Sequence, residues 1–393
     1  MRFSIFHIPT AWTEKDDAPI ISMVTEQSLC ADEAGFAAVF LPEHHFSGYS
    51  PTGSDAVAFG AYLAPQLKQA YIGFAVQVLP LHHPARFVER LNLLDQLTKG
   101  RLIAGIGSGI EPVETVGFGM TTEDMVNTVF DENLNLALKM WEKKIDDPPV
   151  EFATKYYKGN LLPRIVPSSW RKPRPILMGV AAREKGTLRS GRLGFPVFVF
   201  AFDGWAPFLA RLQAYRKELL AANHSKEILQ EAVRWCTHTL TTVVVADTEE
   251  EAQREAMIAA RAHQRHVDRL HGWEIEAMKI QGLNTPPFKR DMTNPFIIKN
   301  TFIYGTPDSV TAQLKKYEEI GIGNVNMSFN FGVYDTERRK LADKWMRLFI
   351  KEVLPRFDKT DPPLEVLEMR LDDMIAEAGG VKTLNPFGFA GAR

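Results

Sequence analysis

Residues 31–46 read ADEAGFAAVFLPEHHF. A segment with helical spacing of apolar residues ends at Gly35, an apolar run follows, and Pro42 closes that run just before an acid and two histidines. Glycine commonly ends a helix because it adopts the left-handed backbone conformation without steric cost. An apolar run bounded by turn residues is typical of a strand buried on both faces. The stretch therefore predicts a helix, a buried strand and a polar strand end.

The same succession of a glycine-ended helix and an apolar strand recurs in LTKGRLIAG, GRLGFPVFV and EEIGIGNVNM. Strands that are apolar on both faces, with helices between them, indicate a parallel sheet covered on both sides. Eight such units in one chain predict a single (β/α)8 TIM barrel with insertions and a C-terminal extension. A doubly wound parallel sheet is the alternative fold. The runs that favour strands span residues 2–8, 37–42, 71–80, 101–109, 175–180, 196–202, 236–246 and 324–330.

The composition limits the classes of protein and partner. The chain has 393 residues, of which 45% are hydrophobic and 24% charged, so it can bury a core of barrel size. Its net charge of −2 gives no reason to expect nucleic acid or an anionic membrane surface as a partner, and a small neutral ligand is expected instead. No segment is apolar enough for a signal peptide or a membrane span, which predicts a cytoplasmic location.

Neither a disulfide nor a metal site is expected. Cys30 and Cys236 lie far apart and in no CxxC spacing, so both are predicted to be small buried hydrophobic residues. The adjacent His44 and His45 should point to opposite sides of an extended segment, which prevents them from binding one metal ion together. The sequence therefore predicts no metal.

Polar or glycine-rich residues follow four of the predicted strands, in EHHF, LHHP, GIGSGIEP and GVAAREKG. The carboxyl ends of the strands form the functional face of a (β/α)8 barrel, so these residues are expected to gather there. His82 and His83 precede Pro84, which suits the first turn of a helix and favours a capping or packing role. GIGSG lacks the complete GxGxxG pattern. Arg183, at the start of a predicted helix, is either a surface charge or a phosphate ligand.

Three segments together resemble the bacterial luciferase-like family of flavin-dependent monooxygenases. They are EHHF, VLPLHHPARFVERLNLLDQLTKGRLIAGIGSG and YGTPDSVTAQLKKYEEIGIGNVNM. The resemblance implies a barrel over residues 1–355 and a C-terminal extension over residues 356–393. It implies reduced FMN as the cofactor, supplied by a separate flavin reductase, and oxygenation of a small apolar substrate with dioxygen through a peroxyflavin intermediate. A deazaflavin-dependent hydride transferase on the same barrel and a flavin-binding protein without turnover are the alternatives.

The resemblance also implies roles for individual residues. His44, the first histidine of EHHF, corresponds to the family histidine that manages protons beside the flavin, a role that suits a group titrating near neutral pH. A cis peptide bond between Ala75 and Val76 is expected against the flavin ring. The remaining cofactor-binding residues implied by the resemblance are Ala181, Ala182 and Arg183 near the pyrimidine edge or the phosphate, and Gly107 and Ser108 in GIGSG.

The sequence departs from the luciferase catalytic subunit at Ser108. That subunit has a phosphate-binding arginine there, so Arg183 is the expected substitute. Residues 271–300 lack regular periodicity, and we interpret them as a mobile lid that excludes water, with a plain crossover as the alternative. The substrate pocket is expected to be apolar and lined by Phe6, Trp12, Phe46, Phe200 and the aromatic residues of the lid.

Two surface features complete the interpretation. Residues 151–167, EFATKYYKGNLLPRIVP, resemble a short hairpin that family members carry before the fifth strand. Family members also pair through the helices that flank the second and third strands. The segments DAVAFGAYLAPQL and PARFVERLNLLDQL supply small and apolar residues for such a contact, which predicts a homodimer.

Overall fold

The computed structural model describes residues 1–283 and 289–381. Eight parallel strands close into a barrel, because the first strand pairs with the eighth and the sixth pairs with the seventh. This closure confirms the (β/α)8 barrel and excludes the doubly wound sheet, which has two open edges. All eight predicted strands are present: β1 Arg2–Phe6, β2 Ala38–Leu41, β3 Tyr71–Val78, β4 Leu102–Gly107, β5 Ile176–Val180, β6 Val197–Val199, β7 Thr237–Val245 and β8 Asn324–Ser328.

A helix follows each barrel strand and covers the outside of the sheet. These helices are α1 Asp17–Ala34, α2 Ala56–Leu63, α3 Pro84–Leu97, α4 Phe130–Glu142, α5 Glu184–Arg192, α6 Trp205–Ala221, α7 Glu249–Ile280 and α8 Thr336–Leu348. Helix α1 ends at Gly35, whose φ of 83° is the left-handed conformation predicted for this position. Further helices are Pro112–Gly117, Thr122–Asp124, Lys226–Arg234, Pro295–Thr301, Pro307–Glu319 and, after α8, Asp372–Glu377.

Two phenylalanine rings fill the middle of the barrel. Phe40 on β2 and Phe198 on β6 meet edge to face with ring centroids 5.5 Å apart. Glycine at two neighbouring positions makes room for them: a Cβ at Gly73 would lie 2.3 Å from the Phe40 ring, and one at Gly105 would lie 2.7 Å from Phe198. Val39 alternates with Phe40 and packs outward in the main hydrophobic core. The interior is therefore packed solid, and ligand space is left at the ends of the strands.

Strand β7 is irregular. Its pairing with β8 shifts between His238 and Thr241, and Leu240 has a φ of 57°, as expected of a β-bulge. Beyond the bulge, β7 also pairs with the short parallel strand Phe302–Gly305, which the sequence did not predict. The bulge turns Leu240 toward the carboxyl ends of the strands, where it borders the cavities described below.

The inserted segments confirm one prediction and correct another. Val150–Ala153 and Lys158–Leu161 form the predicted antiparallel hairpin. The lid segment is more regular than predicted, because residues 271–280 continue α7 and Pro295–Thr301 form a helix. Part of the lid, with its Phe288, lies outside the described residues. None of the described helices is long and apolar enough to cross a membrane.

The start of the C-terminal extension packs against the amino-terminal end of the barrel. The Phe357 ring meets Phe3 edge to face at 5.0 Å, and the amino group of Met1 donates to the Asp358 carbonyl at 2.5 Å. Leu371 is completely buried. Further along, Ala378, Gly379 and Gly380 lie near Ala201 and Gly204, which follow β6. Of the two cysteines, Cys236 is buried as predicted, whereas Cys30 is exposed, so that prediction was wrong.

Candidate active site

A cavity of about 270 Å³ opens at the carboxyl ends of the barrel strands. One end is bounded by His44 and Glu43 after β2, and the other by Arg183 and Lys185 after β5. Its walls come from the ends of six consecutive strands, so one space collects three of the four polar strand ends that the sequence singled out, EHHF, GIGSGIEP and GVAAREKG. Apolar walls are supplied by Ala75, Val76, Val78, Ile106, Ile110, Val126, Phe130, Leu134, Val180, Phe195, Phe198, Phe200 and Leu240.

Most of the predicted site residues lie in this cavity. The residues that line it are His44, Ala75, Val76, Gly107, Ser108, Ala182 and Arg183. The peptide bond between Ala75 and Val76 is cis, as the resemblance implies. Ala181 is the exception, because its side chain is fully buried in the core and its N–H donates to the Phe198 carbonyl at 2.9 Å. That amide is used by the barrel and does not face the cavity.

A carboxylate holds His44 at the cavity wall. Its Nδ1 lies 2.8 Å from Oε1 of Glu114, which sits on the short helix Pro112–Gly117 after β4. The Tyr49 ring packs on its other side, at a centroid distance of 4.8 Å. Burial alone would lower the pKa of His44, but Glu114, aided by Glu111 and Glu43, outweighs burial and raises that pKa above its usual value. Since Nδ1 is engaged, Nε2 is the ring nitrogen available to exchange a proton.

Glu43 organises the strand ends around His44, although the sequence did not assign it a role. It is buried, and its carboxylate lies 3.0 Å from Nε2 of His45 and 2.8 Å from Nε2 of His82. It also accepts the N–H of Val78 at 2.7 Å, which ties the end of β2 to the end of β3. Burial raises the pKa of Glu43, but the hydrogen bonds from the two histidines and Val78 lower it to about 2. Glu43 is therefore a fixed negative charge.

The histidines beside proline behave as predicted at one position. His83 precedes α3, and its side chain accepts the N–H of Ala85 at 3.2 Å, which caps the helix. His82 instead bonds to Glu43, so it supports the strand ends. His45 also points away from the cavity and packs edge to face on Phe118 at 4.8 Å. Adjacent histidines on an extended segment therefore face different surroundings, as expected.

The opposite end of the cavity is cationic. Lys185 and Arg189 of α5 both pair with Asp131, Lys185 at 2.6 Å. Arg183 makes no ion pair with any carboxylate of the described residues, and burial alone lowers its pKa. It precedes the nine-residue helix α5, whose first-turn amides have no partners within the helix. An unpaired guanidinium beside a helix amino terminus is suited to bind a phosphate.

The aromatic residues predicted to line the cavity are mostly elsewhere. Of the predicted aromatic residues that the structure describes, only Phe200 borders it. Phe6 is buried within the barrel, and Trp12 lies at the surface, where Arg269 stacks on its ring at 4.7 Å. Phe46 is 64% exposed, and its ring covers Gly117. The prediction for Phe6, Trp12 and Phe46 was therefore wrong, since proximity to a strand end did not fix the direction of the side chain.

The cavity fits a flat, phosphorylated cofactor. Most of its lining is apolar, as an aromatic ring system requires, and Arg183 provides an unpaired guanidinium for a phosphate. In residues 1–283 and 289–381, no group of three or more His, Cys, Asp or Glu side chains is arranged to hold a metal ion.

Comparison with known proteins gives a consistent picture. The model of the family described as luciferase-like monooxygenase matches residues 1–324. An uncharacterized protein of Sinorhizobium fredii, y4vJ, is 23% identical over 357 residues, which cover 88% of this chain and 94% of that protein. The structure of monooxygenase RslO1 from Streptomyces bottropensis superposes with a TM-score of 0.74 at 20% identity, covering 91% of this chain and 100% of that one.

A second solved structure was determined with a flavin. It is the oxygenating constituent of 3,6-diketocamphane monooxygenase from Pseudomonas putida, in complex with FMN. It superposes with a TM-score of 0.68 at 20% identity, covering 92% of this chain and 99% of that one. At this identity the likeness demonstrates a shared barrel fold.

Proposed function

Because the chain belongs to the luciferase-like monooxygenase family, we propose that it is an FMN-dependent monooxygenase that oxygenates a small organic substrate with dioxygen. The observation that carries the proposal is the cavity with two different ends: His44, held by Glu114, stands at one end, and the unpaired Arg183 stands at the other. A ligand with a reactive ring at one end and a phosphate at the other would place its ring beside His44 and its phosphate beside Arg183.

The side chains have separate tasks in this proposal. Reduced FMN, when bound, supplies the electrons that activate dioxygen. Arg183 and the amino terminus of α5 hold the phosphate, and the apolar walls hold the ring and exclude water. His44 gives and takes a proton at Nε2, while Glu114 fixes the orientation of its ring through Nδ1. Gly107 and Ser108 also line this cavity, and neither contributes a charge to it.

The cofactor is proposed to arrive from a separate flavin reductase. Arg183 is the single unpaired cation that we assign to the phosphate, so oxidised FMN should bind weakly and the protein should purify nearly colourless. Anaerobic titration with reduced FMN, followed by rapid mixing with aerated buffer and candidate substrates, tests the function. Oxygenated product supports it, whereas turnover with a reduced deazaflavin and no oxygen uptake would identify a hydride transferase. Flavin binding without product would indicate a protein without turnover.

Arg183→Ala should weaken the binding of reduced FMN by at least about 1.5 kcal/mol, or roughly 10-fold in Kd, because a charge-assisted hydrogen bond to phosphate is lost. The matched control is Arg192→Ala at the far end of α5, where the guanidinium lies 3.9 Å from Glu218 at the surface. Affinity is measured by anaerobic fluorescence titration of both variants. Equal affinities for reduced FMN in Arg183→Ala and wild type would place the phosphate elsewhere.

The protein is further proposed to be a homodimer. Helices α2 and α3 expose Tyr62, Leu93 and Leu97, each more than half exposed, which is unusual for such large apolar side chains on adjacent helices. Introducing a charge by Leu93→Glu should therefore yield a monomer in light scattering at micromolar concentration. Ile21→Glu on α1, also an exposed apolar position, should leave the dimer intact. A monomeric wild-type protein would contradict the proposal.

A further inference from the structure

A second, smaller cavity lies on the other side of His44. Its volume is about 140 Å³, and it shares His44, Ile110, Glu111 and Leu240 with the wall of the larger cavity. The two cavities therefore adjoin at His44 and these neighbours. Cavities of roughly 150 Å³ accept a benzene ring, so this one suits a molecule with a single ring. Much of its lining is apolar, including Ile8, Tyr49, Met292, Phe302 and Phe331.

The apolar lining is interrupted by the guanidinium of Arg290. Its Nη2 lies 3.7 Å from Oε1 of Glu111 and 3.5 Å from Oε1 of Glu274, which is too long for strong hydrogen bonds. Nη2 donates only a long hydrogen bond to Glu274, and neither Nη1 nor Nε donates to any of the described residues, so these donors stay available to a ligand. The backbone that carries it is fixed by Gln264 of α7, which accepts the N–H of Met292 at 2.6 Å and donates to the Arg290 carbonyl at 3.3 Å.

Glu111 supplies a second polar atom at the same place. The residue is only 6% exposed and borders both cavities, and its Oε2 is buried without a hydrogen-bond partner among the described residues. Burial, together with the negative charges of Glu114 and Glu274, outweighs Arg290 and raises the pKa of Glu111. A protonated carboxyl at this position can donate a hydrogen bond, whereas an ionised one can only accept.

We propose that this smaller cavity binds the substrate, and that the substrate is a neutral, single-ring compound whose carbonyl oxygen accepts hydrogen bonds from Arg290 and Glu111. A carbonyl oxygen has two lone pairs and can accept from both groups at once. An anion is disfavoured because two carboxyl groups already surround Arg290. The inference rests on the proposed function, which defines what the substrate is. Ligand binding to the smaller cavity can nevertheless be tested without flavin. The inference narrows the small apolar substrate expected from the sequence to one with a single ring and a carbonyl group.

Three probes of similar size test this binding site on the full-length protein. Cyclohexanone carries the carbonyl, methylenecyclohexane replaces its oxygen by a CH2 group, and cyclohexanecarboxylate carries a negative charge. Dissociation constants are measured by ligand-observed NMR titration of flavin-free protein. Cyclohexanone should bind at least about 10-fold more tightly than either of the other two, because only it satisfies the buried donors without adding charge. Equal affinity for cyclohexanone and methylenecyclohexane overturns the proposal, as does tightest binding of the carboxylate.

A variant assigns the preference to Arg290. Arg290→Met keeps an unbranched side chain and removes its donors, so it should abolish the preference for cyclohexanone and leave the affinity for methylenecyclohexane within about twofold. Arg269→Met is the matched control, since the Arg269 guanidinium stacks on Trp12 and Trp273 outside both cavities. A preference that persists in folded Arg290→Met overturns the assignment. If that variant does not fold, the wild-type order of the three probes still decides.

A competition measurement separates this proposal from the proposed function. Cyclohexanone should bind wild-type protein with unchanged affinity at an FMN concentration shown by absorbance titration to saturate it, because the two ligands occupy different cavities. Displacement of cyclohexanone by FMN would place the ketone in the larger cavity and overturn the proposal. A protein that binds cyclohexanone selectively but binds no flavin in either redox state would refute the proposed function and leave the ketone site standing.

Discussion

His44→Ala is expected to lower the rate of substrate oxygenation by about 10²-fold or more, which is the usual scale for loss of a group that exchanges protons with the reacting centre. Electrons from the cofactor should then appear as hydrogen peroxide instead of product. Folding and FMN affinity should remain near normal, because the side chain is 21% exposed at the cavity wall and Arg183, the proposed phosphate ligand, lies after a different strand. Product and peroxide are quantified in single-turnover reactions with reduced FMN.

His45→Ala is the matched control because the two histidines are adjacent and their partners differ. His45 bonds to Glu43 and packs on Phe118 outside the cavity. Its removal should lower the free energy of unfolding by about 1–3 kcal/mol and change product yield little. Equal, mild effects of both substitutions on product yield would contradict the role of His44 and leave EHHF as a structural strand ending.

The barrel could be predicted from local sequence because its signals are local. Each strand is an apolar run that neighbouring turn residues bound, and each of several helices ends at a glycine such as Gly35. The strand pairs that close the barrel need no separate sequence signal. A sheet of eight parallel strands buries both of its edges when its edge strands pair with each other. The ninth parallel strand, Phe302–Gly305, was missed because it pairs only beyond a bulge at Leu240, and a bulge depends on its partner strand.

The partners of the site residues were harder to predict than the residues themselves. His44 was identified from EHHF, but Glu114 is 70 residues away, and its contact depends on the exact start of a short helix. The role of Glu43 as a hydrogen-bond acceptor could have been predicted, because an acid beside two histidines at a strand end has imidazole N–H donors within hydrogen-bonding distance. Arg290 was hidden within a segment that was interpreted as an irregular lid. Contacts between distant strand ends are set by barrel geometry, and residue spacing does not reveal them.

Side-chain direction was the other limit. Phe46 follows the predicted site histidines directly, yet it adopts a φ of 63° and turns outward over Gly117. An apolar side chain near a strand end can pack against any of several surfaces. Which surface it packs against depends on the neighbouring helices and loops. The sequence therefore located the cavity correctly and described its lining only in part.

Glu43→Ala should cause the largest loss of stability among the substitutions considered. It removes the carboxylate that accepts from His45, His82 and the Val78 N–H, and so leaves one buried and two partly buried donors without that acceptor. Breaking a buried charged network in this way costs about 3–5 kcal/mol. Denaturant unfolding at pH 7 measures the loss. An alanine variant within about 1 kcal/mol of wild type would show that the network contributes little to folding.

The acid dependence of stability gives an independent test of the same carboxylate. The pKa of Glu43 in the folded protein is about 2, below its usual value of 4.5. A depressed pKa means that the ionised group stabilises the fold at pH values above about 4.5 and that this contribution, about 3 kcal/mol, is lost as the pH falls toward 2. Glu43→Gln keeps the shape but cannot ionise, so its stability should fall less steeply than wild type between pH 4.5 and 2. Parallel curves for the two proteins would mean that Glu43 is not the charge that ties the ends of β2 and β3 together.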